Sequence, residues 1–169
     1  MLETITPLII IMNTSAIGLG VGASTLAIIS FLVALHDGTI DTSERRMLGV
    51  IYSLLRFAMV SILITLILII WLQPSLFGSQ TTYIVILVGI IFLNAIAMTK
   101  HWISSKVGPA LQAASWYTLG FISTIHMFSL YKIDALAFVI LYGIDIVFFI
   151  VLVNVLLHIS ITKQKTTHT

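Results

Sequence analysis

Five apolar stretches, at roughly 7–35, 47–72, 82–99, 108–130 and 133–159, alternate with short polar connections. As helices rising about 1.5 Å per residue, each can cross about 30 Å of hydrocarbon, the third with the least margin. The pattern predicts an all-α fold: a polytopic integral membrane helical bundle of five transmembrane helices, forming one domain over residues 1–169. Short connections make successive spans antiparallel neighbours. No internal repeat or low-complexity tract divides the chain.

The first span carries a second pattern. Residues 15–34 read SAIGLGVGASTLAIISFLVA, with small residues on two neighbouring stripes at helical spacing. One holds Ser15, Gly18, Gly22 and Thr25; the other holds Ala16, Gly20, Ala23, Ala27, Ser30 and Ala34. Glycine weakens a helix in water, but between helices in lipid small residues allow close van der Waals approach. This span is expected to be the one the others pack against, on two sides.

Composition narrows the class. Hydrophobic residues make up 59% of the chain and charged residues 8%; a soluble domain carries about a quarter charged residues, so no soluble domain is expected beside the spans. The sequence has no cysteine, which removes disulfides, thiolate metal sites and thiol catalysis. The N-terminal residues include no Lys or Arg, unlike the basic start of a secretory signal, and the first segment is kept as a mature span.

The charges give an orientation. Arg45 and Arg46 follow span one, Lys100 and Lys106 follow span three, and Lys163 and Lys165 follow span five. The other side has Lys132 and the uncharged loop 73–81. The excess of basic residues on one side predicts the N-terminus outside and the C-terminus in the cytoplasm, in a prokaryotic cytoplasmic membrane. Trp71, Tyr83, Trp102 and Tyr131 sit near span ends, as interfacial aromatics do. In the first cytoplasmic loop, 37–44 has the glycine and final glutamate of half an EF-hand loop, but Val33 and Leu35 would occupy ligand positions and cannot coordinate calcium. The better reading is a helix hairpin: Gly38 ends the first helix, Asp41 caps the second, and Glu44 completes a capping box.

Candidate chemistry lies in polar residues inside the spans. Arg56 shares a face with Tyr52 and Met59; an arginine there costs several kcal/mol, on the order of 3, unless it snorkels, pairs or meets water. Asn94 is the one polar interruption of the third span. In the fourth, Gln112, Ser115, Trp116, Leu119, Ser123 and His126 share one face, which must point at helices or water. Asp145 lies near the middle of the fifth span, where it is expected to be protonated or paired. Arg56 is its expected partner, with snorkelling as the competing reading. The tail after the fifth span is expected to be short, polar and mobile.

Two functional readings stay open. In the first, the protein is a small membrane transporter or channel for an ion or small solute, without a cofactor. Arg56, Asn94, Gln112, Ser115, Ser123, His126 and Asp145 line an intramembrane cavity formed mainly by the fourth and fifth spans. In the alternative, it is a membrane subunit of a redox system that holds b-type haem or quinone with His36, His101 and His158, which share the inner interface. No HxxxH or Glu-x-x-His spacing assigns a metal site, and His126 has no histidine at its depth. A lipid-modifying enzyme using His126 as acid or base, and a purely structural subunit, are further classes; the first needs a cavity open sideways to lipid. Phosphate loops, nucleophile elbows and paired carboxylates are missing, so catalysis is not expected. No basic surface supports nucleic-acid binding. The expected surroundings are the lipid bilayer and further copies of the chain, or the subunits of a membrane complex.

Overall fold

The computed structural model describes residues 2–36, 41–74, 78–104, 107–128 and 132–167. They form five α-helices: α1 (Leu2–His36), α2 (Thr42–Leu72), α3 (Ser79–Thr99), α4 (Gly108–Met127) and α5 (Ala135–Thr167). Among the described residues there is no strand. α1, α2, α3 and α5 are long and apolar enough to cross a membrane. Helix length and apolarity therefore give four candidate spans rather than the expected five. α4 has 20 residues, enough for about 30 Å, but its polar face lowers its hydropathy.

That polarity is compatible with where α4 sits. It packs against α1, α3 and α5, while α2 packs mainly on α1. Ala113, Ala114, Ser115, Trp116, Thr118, Leu119 and Ile122 are all fully buried. The first turns of α4 are thus enclosed by other helices and keep their polar groups from lipid, while Phe121, Thr124 and Met127 near its end are exposed. The four apolar helices instead carry outward-facing large side chains, such as Phe57, Trp71, Leu93 and Phe148. An exposed apolar surface of this kind suits lipid rather than water.

The small-residue pattern of α1 is buried mainly on one side. Ala16, Gly20, Ala23, Ala27 and Ser30 are buried. A Cβ at Gly20 would overlap the ring of Trp116 on α4, so this glycine is required by close approach. On the other stripe Ser15, Gly18 and Gly22 are exposed, and a Cβ on either glycine would meet nothing within 4 Å. The two stripes are thus buried unequally, although α1 still packs on several sides, against α2, α4 and α5, and Thr25 at the end of the exposed stripe reaches the Tyr117 hydroxyl. α4 contributes small residues of its own: Ala110, Ala113 and Ala114 let Ile28 of α1 and Phe149 and Val153 of α5 pack closely on it. Both α1 and α4 are thus central.

Helix ends follow local chemistry. Asp41 accepts a hydrogen bond from the Glu44 backbone N–H at 2.7 Å, and Glu44 accepts from the Asp41 N–H at 3.0 Å, completing the expected capping box. Asp134 caps α5 through the Ala137 N–H at 2.7 Å. α3 ends in a Schellman motif: the His101 N–H bonds the Met98 carbonyl and the Trp102 N–H bonds the Ala97 carbonyl. His101 takes the left-handed position at φ 57°. α5 continues to Thr167, beyond the apolar stretch that ends near 159, because no glycine or proline stops it. Gly38, Lys106 and Tyr131, to which a cap, a topology charge and an interfacial role were assigned, lie outside the described residues, as do the side chains of Ala34, His36, Lys163 and Lys165.

Candidate functional site

Four helices surround a partly open cavity of about 250 Å³. α1 supplies Ser24 and Ala27, whose small side chains leave the space. α2 supplies Tyr52, Leu55, Arg56 and Met59, the face that a 3.6-residue period brings together. α3 contributes its last turns through Ala95, Met98 and Thr99, and α4 its first turns through Pro109 and Gln112. No α5 residue lines the cavity, which differs from the expected placement between the fourth and fifth helices.

The chemistry of this cavity is lopsided. Arg56 is exposed and lines it, which puts the cation at the rim. No Asp or Glu is among the described residues that line it. Gln112 is 7% exposed, and its Oε1 has no hydrogen-bond partner among the described residues. An amide can turn either its N–H₂ or its carbonyl toward a bound group. Tyr52 adds a half-buried phenol one turn from Arg56. The remaining surface is apolar: Leu55, Met59, Ala95 and Met98.

An open groove of about 240 Å³ lies against this cavity and shares Met59, Ala95 and Thr99 with it. Its other lining residues are Phe92, Ile96 and Lys100, all on or at the end of α3. Cavity and groove therefore lie along the seam between α2 and α3, where the two helices touch only sparsely.

The other polar residues of the spans are drawn into interhelical hydrogen bonds. Ser115 on α4 is their node. Its hydroxyl donates to the Leu111 carbonyl at 2.9 Å and accepts from Asn94 Nδ2 on α3 at 3.1 Å. The Tyr142 hydroxyl on α5 lies 3.0 Å away. With its one proton committed to Leu111, Ser115 accepts from both neighbours, which fills its capacity. One turn along, Thr118 donates to Asp145 Oδ2 at 2.5 Å. At the far end of α4, His126 Nδ1 lies 2.6 Å from Gln80 Oε1 of α3, so the ring nitrogen donates. α1 joins the scheme through Thr25 and the Tyr117 hydroxyl at 2.8 Å, and through Asn13, which accepts from Thr65 of α2 at 2.9 Å. Ser123 Oγ and Trp116 Nε1 are buried without a partner among the described residues.

The expected site residues thus separate. Arg56 and Gln112 meet at the cavity. Asn94 and Ser115 meet each other, and His126 and Asp145 each meet a residue absent from the expected set, Gln80 and Thr118. The expected Arg56–Asp145 ion pair does not form. Asp145 is bonded to Thr118 on α4, and α2 packs on α1 rather than on α5. Tyr142 was also missed, although it lies one helical turn before Asp145 and so on the same face.

Of the three histidines expected to share a site, His36 has its side chain outside the described residues. His101 and His158 are exposed, and Asn154, one turn before His158, bonds back to the Ile150 carbonyl of its own helix. Among the described residues no group of three or more His, Asp or Glu side chains is placed to hold a metal ion. Compared with protein-family models, with curated proteins and with solved structures, the chain matches none of them.

Proposed function

We propose that the protein is a small membrane transporter or channel whose substrate is an anionic solute, bound at the Arg56 cavity. All five helices lie in the bilayer of a prokaryotic cytoplasmic membrane, α4 as the enclosed fifth span. The N-terminus is outside and the C-terminus cytoplasmic, since Arg45, Arg46 and Lys100 fall on one side. In that frame the cavity lies in the cytoplasmic half, and Arg56 is about 14 Å in from the end of the apolar run at residue 47.

One observation carries the reading. Arg56 is a cation far along an apolar helix, and it has no ion-pair partner among the described residues. An arginine at mid-span costs about 3 kcal/mol on insertion scales. No carboxylate is among the described residues that line the space it borders. A cavity of this size, with Arg56, Tyr52 and Gln112 on its walls, also has room for water, at about 30 Å³ each. An anion of the substrate supplies the missing countercharge. The Thr118–Asp145 bond supports the same division of labour, because it leaves Asp145 engaged between α4 and α5.

The test is flux into vesicles. The purified chain is reconstituted in neutral phosphatidylcholine, and uptake of labelled phosphate, methanesulfonate and octanesulfonate is compared with that of sodium and choline. Saturable uptake of at least one anion is expected, at least tenfold lower in Arg56→Gln and retained in Asp145→Asn. Folded wild-type protein that passes no anion, or passes only cations, overturns the reading.

A further inference from the structure

We infer that the occupant of this cavity is an anionic lipid with a single acyl chain, of the fatty-acid type, which reaches Arg56 sideways between α2 and α3. The inference rests on the anion reading above and names the class of anion.

The polar groups are gathered at one end of the space. Arg56, Tyr52 and Gln112 belong to the cavity, and the groove is lined by Met59, Phe92, Ala95 and Ile96, with Thr99 and Lys100 at the end of α3. A freely soluble anion would use the polar end alone and leave the apolar lobe without a role. Only Met59, Ala95 and Thr99 stand between the two lobes. Methionine is unbranched and flexible, and alanine is small, so this partition yields to a chain with little repacking.

Volume and charge agree. The first lobe alone, about 250 Å³, falls below the roughly 300–1,000 Å³ of pockets that enclose organic ligands, and the open groove beside it extends that space. One chain can lie along this groove. Two cations, Arg56 and Lys100, border the seam, and among the described residues no acidic one lines either lobe. A fatty-acid carboxylate can accept two hydrogen bonds from the guanidinium fork. The Tyr52 hydroxyl, one turn from Arg56 on α2, is a further donor. The opening also fits, because the seam between α2 and α3 is loosely packed and borders exposed apolar side chains: Val60 on α2, and Leu93 and Ile96 on α3.

The experiment uses a photoactivatable fatty acid, with a diazirine on the chain, in neutral phosphatidylcholine vesicles holding the full protein. Its methyl ester has the same chain without the charge. After irradiation, adducts are mapped by mass spectrometry. The acid is expected to label Met59, Phe92 and Ile96. Yield there should fall at least fivefold with the ester and in Arg56→Gln, and persist in Arg56→Lys, which controls for loss of fold. Equal labelling by acid and ester, or adducts spread over the whole outer face, overturns the inference. Flux of phosphate without labelling in the seam removes the lipid and keeps the anion transporter. Labelling in the seam without flux of any anion keeps the lipid site and removes transport.

Discussion

Arg56 and Asp145 are the two charges that define the interior, and the structure separates them. Asp145 bonds Thr118, and Arg56 borders a cavity that Asp145 does not line. Their substitutions should therefore act independently. In a double-mutant cycle of Arg56→Gln and Asp145→Asn, the stabilities are expected to add within about 0.5 kcal/mol. Asp145→Asn alone should cost little, on the order of 0.6 kcal/mol for one interhelical bond, because its amide oxygen still accepts from Thr118. A coupling above about 1 kcal/mol, measured by reversible unfolding in detergent, would restore the ion pair. The sequence identified both residues as exceptional because charge inside an apolar run is visible in one dimension. Their partners were not visible. Depth along a helix can be counted, but the direction a side chain faces depends on which helix lies next to it, and α2 turned out to lie on α1. Thr118 and Tyr142 were missed for a related reason: a lone hydroxyl in a span draws no attention until a carboxylate or serine is known to face it.

At the scale of the helices, α1 and α4 hold the bundle through one close crossing. Gly20 meets the fully buried ring of Trp116, and Gly120 lies near Val21, whose Cγ2 would be 3.3 Å from an added Cβ. Gly20→Val is expected to destabilise the protein by about 1–3 kcal/mol through overpacking, while Gly18→Val and Gly22→Val leave it nearly unchanged. Thermal unfolding of the three variants in the same detergent checks this, and equal losses at all three would mean that both stripes pack. The two glycine stripes were equally plausible on paper, since helical periodicity gives faces and not neighbours. The helix limits were easier to read. The Asp41–Glu44 capping box and the start of α4 at Gly108 follow from residue types that act on their own backbone, so they need no tertiary information. α5 runs on past its apolar stretch, because a polar segment without a helix breaker can leave the apolar run and remain helical.

Taken as a whole, the molecule separates its polar groups into two systems. Around α4, hydroxyls, amides and Asp145 satisfy one another and fix the helices in register. On the α2–α3 side, a cation, a phenol and a buried amide remain without such partners beside an open space. Apolar length made the membrane class legible at once in four helices, and it under-weighted α4, whose polarity is permitted by its burial. The cavity was legible in its chemistry, through Arg56 and Gln112, and not in its position, which depends on small residues of α1 and on the loose α2–α3 seam. The most direct test uses the cysteine-free chain with one Ala95→Cys substitution, at the wall common to both lobes. Its rate of labelling is measured with negatively and positively charged methanethiosulfonate reagents, with Leu119→Cys as a fully buried control. An unpaired Arg56 should favour the anionic reagent about tenfold or more, a difference of about 1.4 kcal/mol, and Arg56→Gln should abolish the preference while Leu119→Cys stays protected. Equal rates for the two reagents with Arg56 in place, or complete protection at Ala95→Cys, would contradict an anion site in this cavity.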